Sequence, residues 1–182
     1  MLLKKTVVMV GMMGAGKTAV GKSLALELGV PFRDSDDEIV KAANMSIAEI
    51  FERDGEAFFR AAETRVLDRL IQEEPGILST GGGVFLQPQN RQVIQDHGIS
   101  VCIKADIDLL WSRVKNKNTR PLLQTDNPRQ TLIDLYTARE LVYETSDVVV
   151  ESRPEFSITD TRDAIITALM DAGLLVEENS DD

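Results

Sequence analysis

The sequence predicts an α/β fold, a three-layer arrangement in which a five-stranded parallel sheet is covered by helices on both faces. Short apolar runs alternate with longer segments of helical period along 182 residues, the pattern of strands joined by crossover helices. The runs are nearly continuously apolar, as strands buried on both sides can be. Hydrophobic residues at 43% and charged residues at 27% are ordinary globular values, and the length suits one domain.

The first strand is Thr6-Val7-Val8-Met9-Val10, followed by a glycine-rich loop and a helix over residues 19–28, where Val20, Leu24 and Leu28 share one face. Further strands are expected at residues 31–33, 76–79, 100–103 and 147–150. The stretch between the second and third strands is too long for one crossover helix. Ser46-Ile47-Ala48-Glu49 within it reads as a capping box, so residues 36–75 are expected to hold a helical insertion. Residues 116–127 separate the helical pattern around Trp111 from the one near Arg129 and read as a lid. A last helix is expected over residues 160–172. Residues 1–175 would then form one domain and residues 176–182 a frayed acidic tail.

Thirty acidic against 20 basic side chains leave a net charge of −10, which argues against a nucleic-acid surface. Cys102 has no partner for a disulfide and no zinc-type cluster is present, which points to a reducing compartment. Met1-Leu2-Leu3-Lys4-Lys5 runs straight into the first strand without the apolar core of a signal peptide, so a cytoplasmic protein is expected. No apolar run approaches the roughly 20 residues of a membrane span. Without a long exposed apolar helix, a monomer is the expected state.

Gly11-Met12-Met13-Gly14-Ala15-Gly16-Lys17-Thr18 has the spacing of a phosphate-binding P-loop and lies between a predicted strand and a predicted helix. Gly14, Ala15 and Gly16 can turn backbone N–H groups around a phosphate, and the helix N-terminus adds its positive end. Lys17 can reach the β- and γ-phosphates of ATP, and Thr18 can bind magnesium. A guanine-nucleotide switch would carry Asn-Lys-x-Asp, whereas this chain has Asn116-Lys117-Asn118-Thr119. Asp34-Ser35-Asp36 follows the second strand, at the sheet edge where an α/β fold binds ligands. That pair suits magnesium and an acceptor hydroxyl, or simply caps a helix from Asp37.

Gly11 to Thr18, Asp34-Ser35-Asp36, Phe51 with Asp54-Gly55-Glu56 and Phe59-Arg60, Gly81-Gly82-Gly83, Thr119-Arg120-Pro121-Leu122-Leu123, and Arg139 with Tyr143 together resemble shikimate kinase in order and spacing. The resemblance spans nearly the whole chain. It implies an ATP-dependent kinase that phosphorylates the 3-hydroxyl of shikimate with Mg2+, in aromatic amino acid biosynthesis. A gluconate or nucleoside monophosphate kinase of the same architecture is the alternative.

The resemblance further implies that Asp34 helps hold the magnesium shell and Asp36 meets the acceptor hydroxyls. It implies that Arg60 and Arg139 clamp the shikimate carboxylate, that Gly82 and Gly83 lie close to it, that Arg120 comes from the lid and that Arg113 stacks on adenine. Two planar guanidinium groups would fix a small acid's orientation through parallel hydrogen bonds. Phe51 and Phe59 can wall the site or belong to the core. Lys17, Arg120 and magnesium are expected to carry the catalysis, with Asp36 orienting the nucleophile whether or not it takes the proton. Glu63, one turn after Arg60, is placed to steady it. Ala19 departs from the pattern, since a second hydroxyl usually follows Thr18, and it removes an α-phosphate contact.

Overall fold

A computed structural model describes residues 1–118 and 120–176. Thr119 and residues 177–182, which include most of the expected tail, lie outside the described residues. A short strand β1 (Leu2–Leu3) precedes β2 (Thr6–Val10), and the phosphate loop leads into α1 (Lys17–Leu28). Next come β3 (Phe32–Asp34), α2 (Ser35–Ala43), α3 (Ile47–Ile71), β4 (Ile77–Ser79), α4 (Pro88–His97) and β5 (Gly98–Lys104). The chain continues through α5 (Ile107–Val114), α6 (Pro128–Tyr143), β6 (Val148–Glu151), α7 (Ile158–Asp171) and β7 (Leu175–Val176). Single 3-10 turns lie at Val84–Leu86 and Pro121–Leu123.

Among the described residues the main sheet is five-stranded and parallel, in the order β3-β4-β2-β5-β6. Every residue of β2 is buried, which requires cover on both faces of the sheet and explains why this run has no polar alternation. α1 packs on β4 and α7, while α4 packs on β5 and α3. The chain moves from β2 to one side, through β3 and β4, and then crosses to β5 on the other. The strand order therefore reverses beside β2, and the crevice at its C-terminal end is the binding position of such sheets.

The capping box read at Ser46 is present in both halves: Glu49 N–H donates to Ser46 Oγ, and Ser46 N–H donates to Glu49 Oε2. α3 breaks its helical path at Gly55, whose φ of 84° and ψ of 171° turn the axis. A small apolar cluster of Ile39, Ile50 and Phe59 then fills the space between α2 and α3.

Most element boundaries differ from the sequence reading by one or two residues, and three of the differences have a plain structural origin. α2 begins at Ser35 rather than Asp37, because Asp34 supplies the cap. α7 begins at Ile158 rather than at 160, because Ser157 and Asp160 form a second capping box. Val176 belongs to β7, which pairs antiparallel with β1, so the ordered chain runs past the expected boundary at 175.

Candidate active site

The site is built where β2, β3 and β4 end side by side. The register pairs Met9 with Ser79 and Asp34 with Ser79, so the phosphate loop, Asp34 and Gly81 leave the sheet together. Gly14 has φ 80°, and a Cβ there would stand 2.8 Å from Val114 Cγ1, so the loop needs glycine at this position. Gly16 caps α1 with no side-chain hydrogen bond, which leaves the first-turn N–H groups open to an anion. Lys17 is buried and its ammonium donates to the carbonyl oxygens of Gly11 and Met12, both at 2.8 Å. Burial, reinforced by the Arg120 guanidinium, brings its pKa down to about 8. A phosphate would relieve both penalties.

Asp34 serves two elements at once. Its Oδ1 accepts from the N–H groups of Asp36 at 2.9 Å and Asp37 at 3.4 Å, capping α2, while Oδ2 accepts from Thr18 Oγ1 at 3.3 Å. Thr18 Oγ1 is also 3.3 Å from Ser79 Oγ. This all-oxygen set fits a hard divalent cation such as magnesium. Among the described residues no group of three or more His, Cys, Asp or Glu could hold a metal, so such a cation would complete its shell with phosphate oxygens and water.

Asp36 turns into the crevice. Its Oδ1 is buried with no hydrogen-bond partner among the described residues. Burial and the neighbouring Asp34 raise its pKa, against the pull of Lys17 and Arg120.

A second cavity is formed by α3, the Gly81-Gly82-Gly83 run and α6. Phe51 and Phe59 meet across the Gly55 turn with ring centroids 4.9 Å apart. Arg60 lies over the Phe59 ring at 5.4 Å and donates to Glu63 Oε1 at 2.6 Å and Glu56 Oε1 at 3.2 Å. Gly83 makes room for it, since a Cβ there would stand 2.2 Å from Arg60 Nη1. Arg139 is buried on α6, and one turn later Tyr143 donates to the carbonyl oxygen of Gly82. Phe51, Phe59, Arg60, the three glycines and Arg139 line a cavity of about 120 Å³. Glu63 completes its charge balance: burial outweighs the ion pair with Arg60 and raises its pKa to about 7.

A larger cleft of about 680 Å³ runs along the phosphate loop. It holds Gly14, Ala15, Gly16, Lys17, Thr18 and Ala19 on one wall, with Arg113 beside them. Arg113 Nη1 donates to Gly14 O at 3.0 Å and Ala15 O at 3.1 Å, and Nη2 donates to Ser152 Oγ at 3.4 Å. The two cavities share Asp36, Gly81, Gly82 and Arg120. Arg120 Nε is buried and unpartnered among the described residues, so this guanidinium stands at the junction with donor capacity to spare.

Sequence reasoning named no residue of the segment after β6, yet Ser152, Phe156, Ser157, Ile158 and Thr161 also line the large cleft. The signal was available in the Ser157–Asp160 capping box, flanked by the apolar Phe156 and Ile158.

A profile of the family "SKI: Shikimate kinase" matches residues 13–170. The chain belongs to the shikimate kinase family. A shikimate kinase from Ruegeria pomeroyi is 61% identical over 167 residues, covering 92% of this chain and 86% of the relative. One from Cereibacter sphaeroides is 62% identical over 150 residues, covering 82% and 75%. Among solved structures, the Acinetobacter baumannii shikimate kinase in complex with shikimate aligns with a TM-score of 0.89 at 37% identity, over 94% of this chain and 96% of that one. Family and fold are those the sequence resemblance implied. No helix of the described residues is long and apolar enough to cross a membrane.

Proposed function

We propose that the chain transfers the γ-phosphoryl group of ATP to the 3-hydroxyl of shikimate, giving shikimate 3-phosphate and ADP for aromatic amino acid biosynthesis. One observation carries this reading. The cleft along the phosphate loop and the arginine-lined cavity meet at Asp36 and Arg120, so a donor phosphate and an acceptor hydroxyl held on either side converge on the same two groups. The likeness to an enzyme solved with shikimate supports the acceptor.

Backbone N–H groups of Gly14, Ala15 and Gly16 cradle the phosphates, and Lys17 exchanges its two carbonyl partners for phosphate oxygens. Thr18 and Asp34 would hold Mg2+, which when bound neutralises phosphate charge. Arg60 and Arg139 hold the shikimate carboxylate, with Phe51 and Phe59 as the apolar wall and Gly82 and Gly83 as the floor. Asp36 accepts from the acceptor hydroxyl through its free Oδ1, and its raised pKa strengthens it as a proton acceptor. Arg120 supplies positive charge to the transferring phosphoryl group, where alignment and neutralisation carry most of the rate. Arg113 and Ala19 face the nucleotide.

In this reading residues 36–75 act as the acceptor-binding unit and residues 116–127 as a lid on a single kinase domain. The enzyme is a cytoplasmic monomer working on small molecules. An ADP-release assay with shikimate, gluconate, AMP and CMP in parallel tests the assignment. Turnover stimulated by shikimate alone is expected, and stimulation by a nucleoside monophosphate instead would discard it.

A further inference from the structure

We infer that Tyr143 is a positioning residue for acceptor binding, acting through the peptide between Gly82 and Gly83. This deepens the kinase reading above and rests on it. Tyr143 is 4% exposed at the end of α6, and its hydroxyl donates to the carbonyl oxygen of Gly82 across 61 positions of sequence. A peptide group is planar and trans, so fixing the direction of the Gly82 carbonyl fixes the opposite direction of the Gly83 N–H.

The N–H groups of Gly82 and Gly83 donate to no group among the described residues, while the carbonyls on either side, of Gly81 and Gly83, accept from Val84 and Leu86. Gly82 and Gly83 therefore present two free donors beside carbonyls that are all engaged. Glycine has no side chain to lock such a peptide, and without an external tie it is free to flip.

The same hydroxyl is coupled to the carboxylate clamp. Tyr143 Oη and Arg139 Nη1 both stand 3.6 Å from where a Cβ of Gly82 would be, so tyrosine and arginine close over one face of that residue. The guanidinium opposes the effect of burial, which pushes the Tyr143 hydroxyl up to about 12 and keeps it a neutral donor at every working pH. One hydroxyl thus holds the floor of the cavity in register with one arm of its clamp. The consequence is selective: the Gly83 N–H that the hydroxyl aims lines only the smaller cavity, so losing the hydroxyl loosens the acceptor side before the nucleotide cleft.

The test is Tyr143→Phe, which keeps the buried ring. The shikimate KM is expected to rise about tenfold, the scale of one buried hydrogen bond. The ATP KM should stay within about twofold. Replacing Tyr143 by 3-fluorotyrosine, which keeps the donor, should leave the shikimate KM near that of the parent, whereas 4-aminophenylalanine, a weaker donor of the same shape, should raise it a few-fold with the ATP KM unchanged, which reads the hydroxyl's role if the phenylalanine variant fails to fold. An unchanged shikimate KM in Tyr143→Phe, or an equal rise in both KM values, overturns the inference. So does a tenfold rise in the fluorotyrosine enzyme. A parent enzyme that turns over shikimate while the variant matches it refutes only this role of Tyr143; a parent that ignores shikimate refutes the kinase reading itself.

Discussion

Arg60 donates to Glu63 across one turn of α3 at 2.6 Å, and the carboxylate it meets is 1% exposed. A buried charge held by one partner costs free energy that the partner only partly offsets. Here the cost appears as a pKa of about 7 for Glu63, caused first by burial and only then moderated by Arg60. Its second oxygen, Oε2, has no partner among the described residues. The folded state therefore holds a proton that the unfolded chain releases near 4.5.

The sign follows from that difference. Stability from protonated Glu63 is complete below the unfolded value of 4.5 and is lost as pH rises through about 7. Glutamine cannot ionise, so Glu63→Gln removes this share of the slope. Calorimetric melting between about pH 5 and about pH 8 should show the parent falling by roughly 3–6 °C more than the variant. Parallel curves would assign the pH dependence to other groups, Asp36 first among them.

Gly83→Ala places a methyl group 2.2 Å from Arg60 Nη1. The obstruction is the flexible end of a side chain rather than backbone, so the fold absorbs it and the guanidinium moves. The shikimate KM is expected to rise roughly 10–100-fold, the range for a hydrogen bond to a charged group. Melting temperature should barely change. A normal KM would mean that Arg60 does not need its present position.

Arg120→Ala removes the guanidinium at the junction of the two cavities, whose Nε is unpartnered among the described residues. kcat should fall about 10²–10³-fold, as when one donor to a developing charge is lost. Binding of a fluorescent ATP analogue should hold within a few-fold. A loss in affinity as large as the loss in kcat would make Arg120 a ground-state contact.

Thr18→Ala leaves the Asp34 cap on α2 intact, because the capping oxygen is Oδ1 and Thr18 donates to Oδ2. The protein should melt normally while the magnesium concentration needed for half-maximal turnover rises about 10–100-fold. Ala19 offers no second hydroxyl to take over. An unchanged magnesium titration would remove Thr18 from the metal shell.

Much of this arrangement is legible in the sequence, and the reasons differ by element. β2 is legible because full burial writes an uninterrupted apolar run, and Ser46 with Glu49 announces α3 because capping is local chemistry. The phosphate loop is legible because its spacing is specific, whereas the two aspartates and the arginines are picked out as site residues only through the resemblance to shikimate kinase. β1 and β7 escape notice, since two residues carry no period and their pairing joins the two ends of the described chain. The bond from Tyr143 to Gly82 escapes for the same physical reason: it depends on where α6 lands beside the turn that follows β4, which no local pattern encodes. Phe156 and Ile158 are missed because their positions follow from the start of α7, and the expectation set that start two residues late.

The antiparallel pairing of Leu2 with Val176 has a practical meaning for handling the molecule. α7 starts in the wall of the large cleft and runs 14 residues, about 21 Å, away from it before the chain turns into β7. Both ends of the described chain thus emerge beside each other on the side remote from the chemistry. A fusion partner or a surface tether attached at either end leaves the cleft facing open solvent. A short peptide could also join the two ends into a circle, to be reopened at an exposed loop elsewhere.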